Sequence, residues 1–163
     1  MTQKLRLTPK TSYMLGMYVQ GTRERIGVTS KSEEVIERFV KLAMDEFGIE
    51  SDHILFEQNE GATTTFFYNS KLKRRFDKAL ERRERLFKYR NEYSGNYIAG
   101  MFDVSGGKDR FGLYFRRLEP TDALILEKLG VHTTGRARVR VTHAGELITL
   151  IREYSLVMSN IIR

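Results

Sequence analysis

The chain has 163 residues, of which 40% are hydrophobic and 30% are charged, and its formal net charge is +7. That is enough apolar material to bury one core, as one domain or as two small repeats that share it. The lack of cysteine excludes a disulfide framework and a thiolate zinc site, and no apolar run approaches the ~20 residues that span a bilayer. We therefore expect a cytoplasmic protein with no membrane partner, and its basic charge favours a polyanion such as nucleic acid.

Six elements are predicted in residues 1–93 from the spacing of apolar residues and from helix caps. Thr8 and Pro9 are typical of the start of a helix, and the apolar residues that follow leave almost no polar face, which predicts burial. A strand comes next, then a helix that a capping box begins and Gly48 ends, and then a hairpin. The elements, including the long helix that follows the hairpin, are predicted at 12–21, 23–29, 30–47, 53–58, 62–68 and 70–90.

The long helix predicted at 70–90 carries the net charge of the whole chain. Residues 71–90 contain ten basic and three acidic residues, which is a balance of +7. We predict a secondary basic patch on this helix, formed by Lys71, Arg74, Arg75, Lys78 and Arg82. Two roles stay open for the patch: a solvated connecting helix that adds long-range attraction to a polyanion, or a second binding surface.

The same order of elements is predicted again in residues 94–163. After a helix break predicted at Ser94 and Gly95, the pattern indicates a helix, a strand, a helix, two hairpin strands and a last helix. These elements are predicted at 97–107, 110–117, 120–129, 131–134, 136–142 and 144–154. The sequence therefore predicts a mixed α+β protein of two pseudo-symmetric αβαββα repeats, 1–93 and 94–163, each completing the core of the other.

A short motif opens each of these repeats. Residues 98–106 have the sequence Ile-Ala-Gly-Met-Phe-Asp-Val-Ser-Gly, which resembles the LAGLIDADG motif of homing endonucleases, and residues 14–22 are a weaker copy. Gly16 and Gly100 occupy the same motif position, and with Ala99 they would let two apolar helices pack at short backbone distance. The resemblance implies a homing-endonuclease-like fold, in which this helix pair is the symmetry axis and the strands form a saddle.

The acidic positions of the motif are altered in this chain. In the family, the last acid of the motif helps to hold a divalent metal at the scissile phosphates, because hard cations prefer oxygen ligands. This sequence has Gly21 and Ser105 there, and the earlier acid survives only as Asp103, a weak catalytic candidate. The resemblance therefore implies binding without cleavage and without a metal or other cofactor. We expect Mg²⁺ only if the protein is catalytic, with displaced acids such as Glu24 or Asp109 holding the metal in place of the altered motif acids.

Alternation of side chains along the predicted strands sorts them onto two faces. The resemblance implies that one face packs on the helices and the other lies on DNA. Arg136, Arg138 and Arg140 share the face opposite three apolar residues, which suits contacts with phosphates or guanine edges. By the same alternation we predict four further nucleic-acid-binding residues: Arg23, Arg25, Tyr114 and Arg116. The alternative for these strands is an exposed face with cross-strand salt bridges.

Only one strand is predicted between the motif and the next helix of each half, so we expect a small saddle that suits short sites or structured RNA. The leading hypothesis is a monomeric DNA- or RNA-binding protein that does not cleave, with a regulatory or processing role. The alternatives are a site-specific endonuclease that uses displaced acids and a basic module that docks an acidic protein. Salt-sensitive binding to nucleic acid separates the first hypothesis from the last.

Overall fold

The structure is a computed structural model that describes residues 4–22 and 24–163. Arg23, one of the predicted binding residues, lies outside the described residues. The helices of the described part are α1 (Pro9–Gln20), α2 (Glu33–Phe47), α3 (Ser70–Glu81), α4 (Arg83–Leu86), α5 (Glu92–Ser105), α6 (Pro120–Lys128), α7 (Ala144–Ile151) and α8 (Leu156–Ile161). Its strands are β1 (Ile26–Ser30), β2 (Leu55–Asn59), β3 (Ala62–Phe67), β4 (Gly106–Asp109), β5 (Gly112–Phe115), β6 (Thr133–Thr134) and β7 (Val139–Val141).

The strands form two antiparallel sheets. The first sheet has the order β1-β3-β2, and the second has the order β4-β5-β7-β6. Each sheet follows one of the two central helices, because β1 comes after α1 and β4 comes directly after α5. The mixed α+β class and the repeated order of elements are thus confirmed, with one extra strand in the second half. None of the helices between residues 4 and 163 that the structure describes is long and apolar enough to cross a membrane.

The centre of the molecule is the pair of helices α1 and α5. Residues 11–20 are all buried, so this part of α1 has no solvent-exposed face. A Cβ atom on Gly16 would overlap the carbonyl oxygen of Tyr97, and one on Gly100 would overlap the carbonyl oxygen of Tyr13. The two backbones therefore touch at the crossing, and only glycine fits at these two positions.

The symmetry of the helix pair extends to its tyrosines. The Tyr13 hydroxyl donates a hydrogen bond to Asp103 of α5, and the Tyr97 hydroxyl donates to Asp122 of α6 over 2.6 Å. Burial is the main cause that raises the pKa of both tyrosines well above the usual value, so both remain neutral donors. Ala99, beside the crossing point, is also fully buried. The first of these buried hydrogen bonds therefore joins the two central helices to each other, and the second joins α5 to α6.

The second half contains a short hairpin where a single strand was predicted at 110–117. Strands β4 and β5 pair with each other, and Arg110 and Phe111 form the turn between them. The Asp109 carboxylate accepts a hydrogen bond from the Phe111 amide over 2.9 Å, and Gly112 adopts a φ of 114°, which favours glycine. The prediction of one strand was wrong because these turn residues lie inside a run of alternating polar and apolar side chains.

The predicted helix 70–90 is interrupted. Helix α3 ends at Glu81, and α4 is a separate short helix. The interruption brings Phe87 inward, where its ring stacks on that of Tyr97 at 4.2 Å between centroids. It also buries Arg83, whose Nε lies 3.0 Å from the Asp122 carboxylate. The interruption thus lets Phe87 pack against α5 and Arg83 pair with α6.

Helix α5 begins earlier than predicted. The break expected at Ser94 and Gly95 is wrong, because both residues lie inside the helix. The Asn91 side chain accepts a hydrogen bond from the Ser94 amide, and the Ser94 hydroxyl accepts one from the Asn91 amide, each over 3.1 Å. This reciprocal cap fixes the start of the helix at Glu92, two residues before the predicted start of the second repeat.

The predicted strand 136–142 is reduced to the three residues of β7. Gly135 adopts a φ of 94°, a conformation that favours glycine. A Cβ atom added to Gly135 would lie 3.1 Å from the carbonyl oxygen of Arg138, which shows that the chain folds back on itself before the strand. As a result Arg136 and Arg138 lie in the loop before β7, and Arg140 lies inside the strand. The expectation that all three arginines belong to one strand face is therefore wrong, because only Arg140 belongs to a strand.

Candidate nucleic-acid interface

A cleft of about 430 Å³ lies at the point where α1 and α5 both end. Its lining comes from the ends of the two helices, from β1 and from the residues after β5, namely Gln20, Gly21, Thr22, Thr29, Val104, Ser105, Arg116 and Arg117. The two motif positions Gly21 and Ser105 thus face the same cleft, together with the predicted binding residue Arg116. Among the described residues, the lining holds two cations and no carboxylate.

The two arginines of this cleft cap the two central helices. Arg117 donates to the carbonyl oxygen of Gln20 and to that of Gly21, the latter over 3.1 Å, while Arg116 donates to the Val104 carbonyl over 2.5 Å. These carbonyls stand at the negative ends of the helix dipoles, where a cation is stabilising. A guanidinium has five N–H donors, so each arginine keeps donors that can bind an anion in the cleft.

The solvent face of the second sheet carries a cluster of charged and aromatic side chains. Tyr114 is paired in register with Arg140, which puts both side chains on the face opposite the buried Phe115. The guanidinium carbon of Arg138 lies 4.3 Å from the centroid of the Tyr114 ring. Asp109 accepts hydrogen bonds from Arg138 over 3.0 Å and from Arg140 over 2.5 and 2.7 Å. The face is therefore basic and aromatic, with one acid held between two arginines.

Asp109 remains charged in this cluster. The hydrogen bond from Arg140 is the main cause that holds the pKa of the Asp109 carboxyl well below its usual value, and the same contact raises the pKa of Arg140. The three side chains of Arg138, Arg140 and Asp109 then carry a balance of one positive charge. The cross-strand salt bridges weighed as an alternative for this face are present, and they orient the guanidinium groups while neutralising part of their charge.

The solvent face of the first sheet is less basic. Arg25 lies just before β1, and its guanidinium carbon stands 3.4 Å above the centre of the Phe66 ring. A carboxylate oxygen of Glu57 lies 3.6 Å from the Arg25 guanidinium. Thr29 and Thr64 share a hydrogen bond of 2.7 Å between their hydroxyls, on the same face. Arg25 is thus held by stacking and by an acid, and this face offers hydroxyl groups rather than a row of cations.

Asp103 is not part of the cleft. Its carboxylate is buried and accepts hydrogen bonds from Tyr13, from Ser155 over 2.5 Å, and from the amides of Leu156 and Val157 over 3.0 Å each. Burial is the main cause that raises the pKa of Asp103, and these hydrogen bonds oppose the shift. The weak assignment of Asp103 as a catalytic acid is therefore corrected: the residue joins α5 to the start of α8.

The arrangement of helices and sheets matches known structures. Neither a family model nor a curated protein matches the sequence. Mesophilic variants of the homing endonuclease I-DmoI align with a TM-score of 0.66 and 18% identity, over 89% of this chain and 96% of theirs. The chain has the LAGLIDADG homing-endonuclease fold. A structure of I-DmoI in complex with DNA and Mn aligns with a TM-score of 0.63 and 20% identity, over 88% and 96% of the two chains.

The helix ends of this LAGLIDADG fold do not suit a divalent metal here. A Cβ atom on Gly21 would overlap the carbonyl oxygen of Gly27 in β1, so a carboxylate cannot stand at that position without moving the strand. The Ser105 hydroxyl donates over 3.2 Å to the Met101 carbonyl, inside its own helix. With Arg116 and Arg117 beside these positions, the described lining offers positive charge where a hard cation needs anionic oxygen.

Arg117 was not among the predicted binding residues, since alternation along the predicted strand 110–117 puts it on the same face as the apolar Leu113 and Phe115. The strand ends at Phe115, so the alternation no longer applies two residues later. The pair Arg116-Arg117 about ten residues after the second motif is the signal that could have found it. Phe111, at the tip of the β4–β5 turn, was also missed; it is 71% exposed, and the Arg110 guanidinium lies 4.7 Å from its ring.

Within residues 4–22 and 24–163, the one group of side chains close enough to share a metal ion is Glu50, Asp52 and His53. All three are exposed and lie on the short turn before β2. This turn is not part of the cleft lining at the helix ends. The group therefore has no relation to the positions at which the LAGLIDADG motif carries its acids.

Proposed function

We propose that the protein binds DNA through the cleft at its helix ends and the solvent faces of its sheets, and does not cut it. One observation carries the proposal: the positions that need carboxylates for metal-dependent cleavage are occupied by Gly21 and Ser105, and two guanidinium groups line the same cleft. Structures of I-DmoI, which has the same fold, contain DNA. Structured RNA remains the competing polyanion, and the experiment below includes it.

The arginines of the cleft have the chemistry for phosphate. Arg116 and Arg117 are each fixed by a backbone carbonyl, so little side-chain freedom is lost when a phosphate oxygen accepts a second hydrogen bond. Phosphate contacts of this kind position a nucleic acid without reading its sequence. Tyr114, Arg138 and Arg140 on the second sheet are the candidates for contacts to base edges or stacking.

The displaced-acid endonuclease has less support. Asp103 is buried among four donors, and Asp109 is held by two arginines on the sheet face. Glu24 is exposed, but it does not line the cleft. An acid already neutralised by arginines is a poor ligand for a divalent ion, because the ion must displace its partners.

The test compares the wild type with the double variant Arg116→Gln, Arg117→Gln in DNA binding, RNA binding and plasmid nicking with Mg²⁺ or Mn²⁺. We expect salt-sensitive DNA binding by the wild type, no nicking, and a loss of about tenfold in affinity for the double variant, since two phosphate contacts lower the salt slope by about two. The exposed pair Lys41→Gln, Arg152→Gln removes the same charge elsewhere and serves as the control.

Three outcomes would overturn the proposal: metal-dependent nicking by the wild type, equal losses in the test and control pairs, or tighter binding of structured RNA than of duplex DNA. Because Arg117 caps α1, the thermal midpoint of the double variant is measured in parallel. The single variant Arg116→Lys keeps the charge and removes the fork geometry, so it separates a phosphate contact from a capping role.

A further inference from the structure

The exposed face of α3 carries a row of basic side chains. Lys71, Arg74 and Lys78 are spaced three and four residues apart, which places them on one side of the helix, and all three are exposed. The other side of α3 is buried, through Leu72, Phe76, Ala79 and Leu80. Of the predicted basic patch, Arg75 and Arg82 are half-buried and lie at the margin of this row.

The row continues into a groove of about 570 Å³ where α3, α4 and α6 meet. Three exposed cations line it, Arg85, Lys88 and Lys128, together with two exposed carboxylates, Glu81 and Glu84. We call Lys71, Arg74, Lys78, Arg85, Lys88 and Lys128 the basic ridge. In the part of the chain that the structure describes, none of the six forms an ion pair with an acid. Arg83, in contrast, is bound to Asp122 at 3.0 Å and to Glu119 at 3.4 Å.

The basic ridge is separate from the proposed DNA-binding cleft. Helix α3 packs through Phe76 against Tyr18 of α1 and Phe47 of α2, both at 5.3 Å between ring centroids. Its exposed side therefore points outward from the helices, and none of the six residues belongs to a strand or to the lining of the cleft at the helix ends. The ridge therefore shares no residue with the cleft or with the strands.

We infer that the basic ridge binds a second segment of nucleic-acid backbone, so that one molecule holds two segments at once. Side chains three or four residues apart on a helix are about 5 Å apart along its axis, which is comparable with one phosphate per 3.4 Å of each DNA strand. The inference rests on the proposed function for the first segment. It assigns to the ridge the sequence-independent contacts that Lys and Arg make with phosphates.

The composition of the surface favours a polyphosphate over an acidic protein. The centre of a protein interface is usually formed by aromatic and other apolar side chains. The groove lining includes one apolar residue, Leu80, which is itself buried in the core. Six cations outside ion pairs exceed the two carboxylates Glu81 and Glu84 of the groove, and without an apolar centre they offer net positive charge and no hydrophobic anchor.

The test uses the variant Arg74→Gln, Lys78→Gln, Arg85→Gln, Lys128→Gln in the full chain. Its control is Lys4→Gln, Lys31→Gln, Lys41→Gln, Arg152→Gln, which removes four exposed cations elsewhere. Two short DNA duplexes, one with a donor dye and one with an acceptor dye, are mixed with each protein, and energy transfer between the duplexes reports simultaneous binding. Circular dichroism checks that each variant is folded.

We expect energy transfer with the wild type and the control, and its loss in the ridge variant, which still binds one duplex. Four phosphate contacts account for about a 100-fold loss of affinity between roughly 50 and 200 mM salt, so binding of the second duplex should disappear over this range. Undiminished transfer in the ridge variant would overturn the inference, as would an equal loss in the control, or a wild type that holds one duplex at every ratio.

The cleft variant Arg116→Gln, Arg117→Gln distinguishes this inference from the proposed function. If that variant brings two duplexes together as well as the wild type does, the cleft is not the first binding site. If energy transfer is lost in both the cleft variant and the ridge variant, while each variant still binds one duplex, both proposals hold. Polyaspartate that competes with the second duplex as well as DNA does would overturn the inference in favour of an acidic protein.

Discussion

The two halves of the molecule agree closely at the helix pair and differ on the solvent faces of their sheets. At the crossing, Gly16 meets the Tyr97 carbonyl and Gly100 meets the Tyr13 carbonyl, so the two contacts are equivalent. The sheets share no such equivalence. The first has three strands and one arginine stacked on an aromatic ring, whereas the second has four strands and an acid bound between two arginines.

This difference shows which positions tolerate change. Where two backbones touch, any added atom must push the helices apart, and both halves lose their core. A side chain on a solvent face contributes little to stability, so the two faces can diverge while the fold persists. We therefore expect substitutions at the helix pair to act on stability in either half, and substitutions on the sheets to act on binding, more strongly in the second half.

The largest expected effect belongs to the crossing of the helices. Gly100→Ala introduces a Cβ that overlaps the Tyr13 carbonyl oxygen, and the overlap can be relieved only by moving backbone. We expect it to lower the free energy of unfolding by about 3 kcal/mol, the upper part of the range for overpacked cores. Urea unfolding followed by circular dichroism measures the change.

Gly145→Ala in α7 is the matched control. A Cβ at Gly145 would meet no atom within 4 Å, and the residue lies in a helix. The substitution should be neutral or should stabilise the protein by up to about 1 kcal/mol. Equal costs at the two positions would contradict the backbone contact and would mean that the helix pair has room to adjust.

A smaller effect is expected at Asp103, which has no equivalent in the first half, where Val19 takes the same motif position. Asp103→Asn replaces an acceptor by a donor that faces the Ser155 hydroxyl or the amides of α8. We expect a loss of about 2 kcal/mol, as for a buried group left without a partner. The loss should be measured by urea unfolding and should leave DNA binding at low denaturant unchanged.

The cost of this substitution should also depend on pH. Burial raises the pKa of Asp103 in the folded protein above its value in the unfolded chain. Such a carboxyl contributes its full stability below its unfolded pKa of about 3.9 and loses stability as the pH rises through the folded pKa. Because the asparagine side chain of the variant does not ionise, the difference between the two proteins should be greatest below about pH 4. A difference that is constant with pH would show that Asp103 is ionised with an unshifted pKa.

The sequence contained enough information for the fold and for the helix pair, and less for the site. Gly16 and Gly100 could be identified because the motif and its apolar surroundings are local. The role of Asp103 could not, because its partners Ser155 and Leu156 are more than fifty residues away in the chain. Turns posed the opposite difficulty: the hairpin at Asp109 was hidden because its turn residues alternate like a strand.

The smallest expected effect compares the solvent faces of the two sheets. Arg138→Gln with Arg140→Gln removes two cations and leaves Asp109 charged without a cationic partner, so we expect about a tenfold loss of DNA affinity and a salt slope lower by about two. Arg25→Gln on the first sheet removes one cation that Glu57 already balances in part, so we expect less than about a twofold loss, against about threefold per arginine on the second sheet. Fluorescence anisotropy over a salt series measures both variants. Equal losses per arginine would mean that DNA contacts the two faces alike, and the functional difference between the halves would then lie only in their strand number.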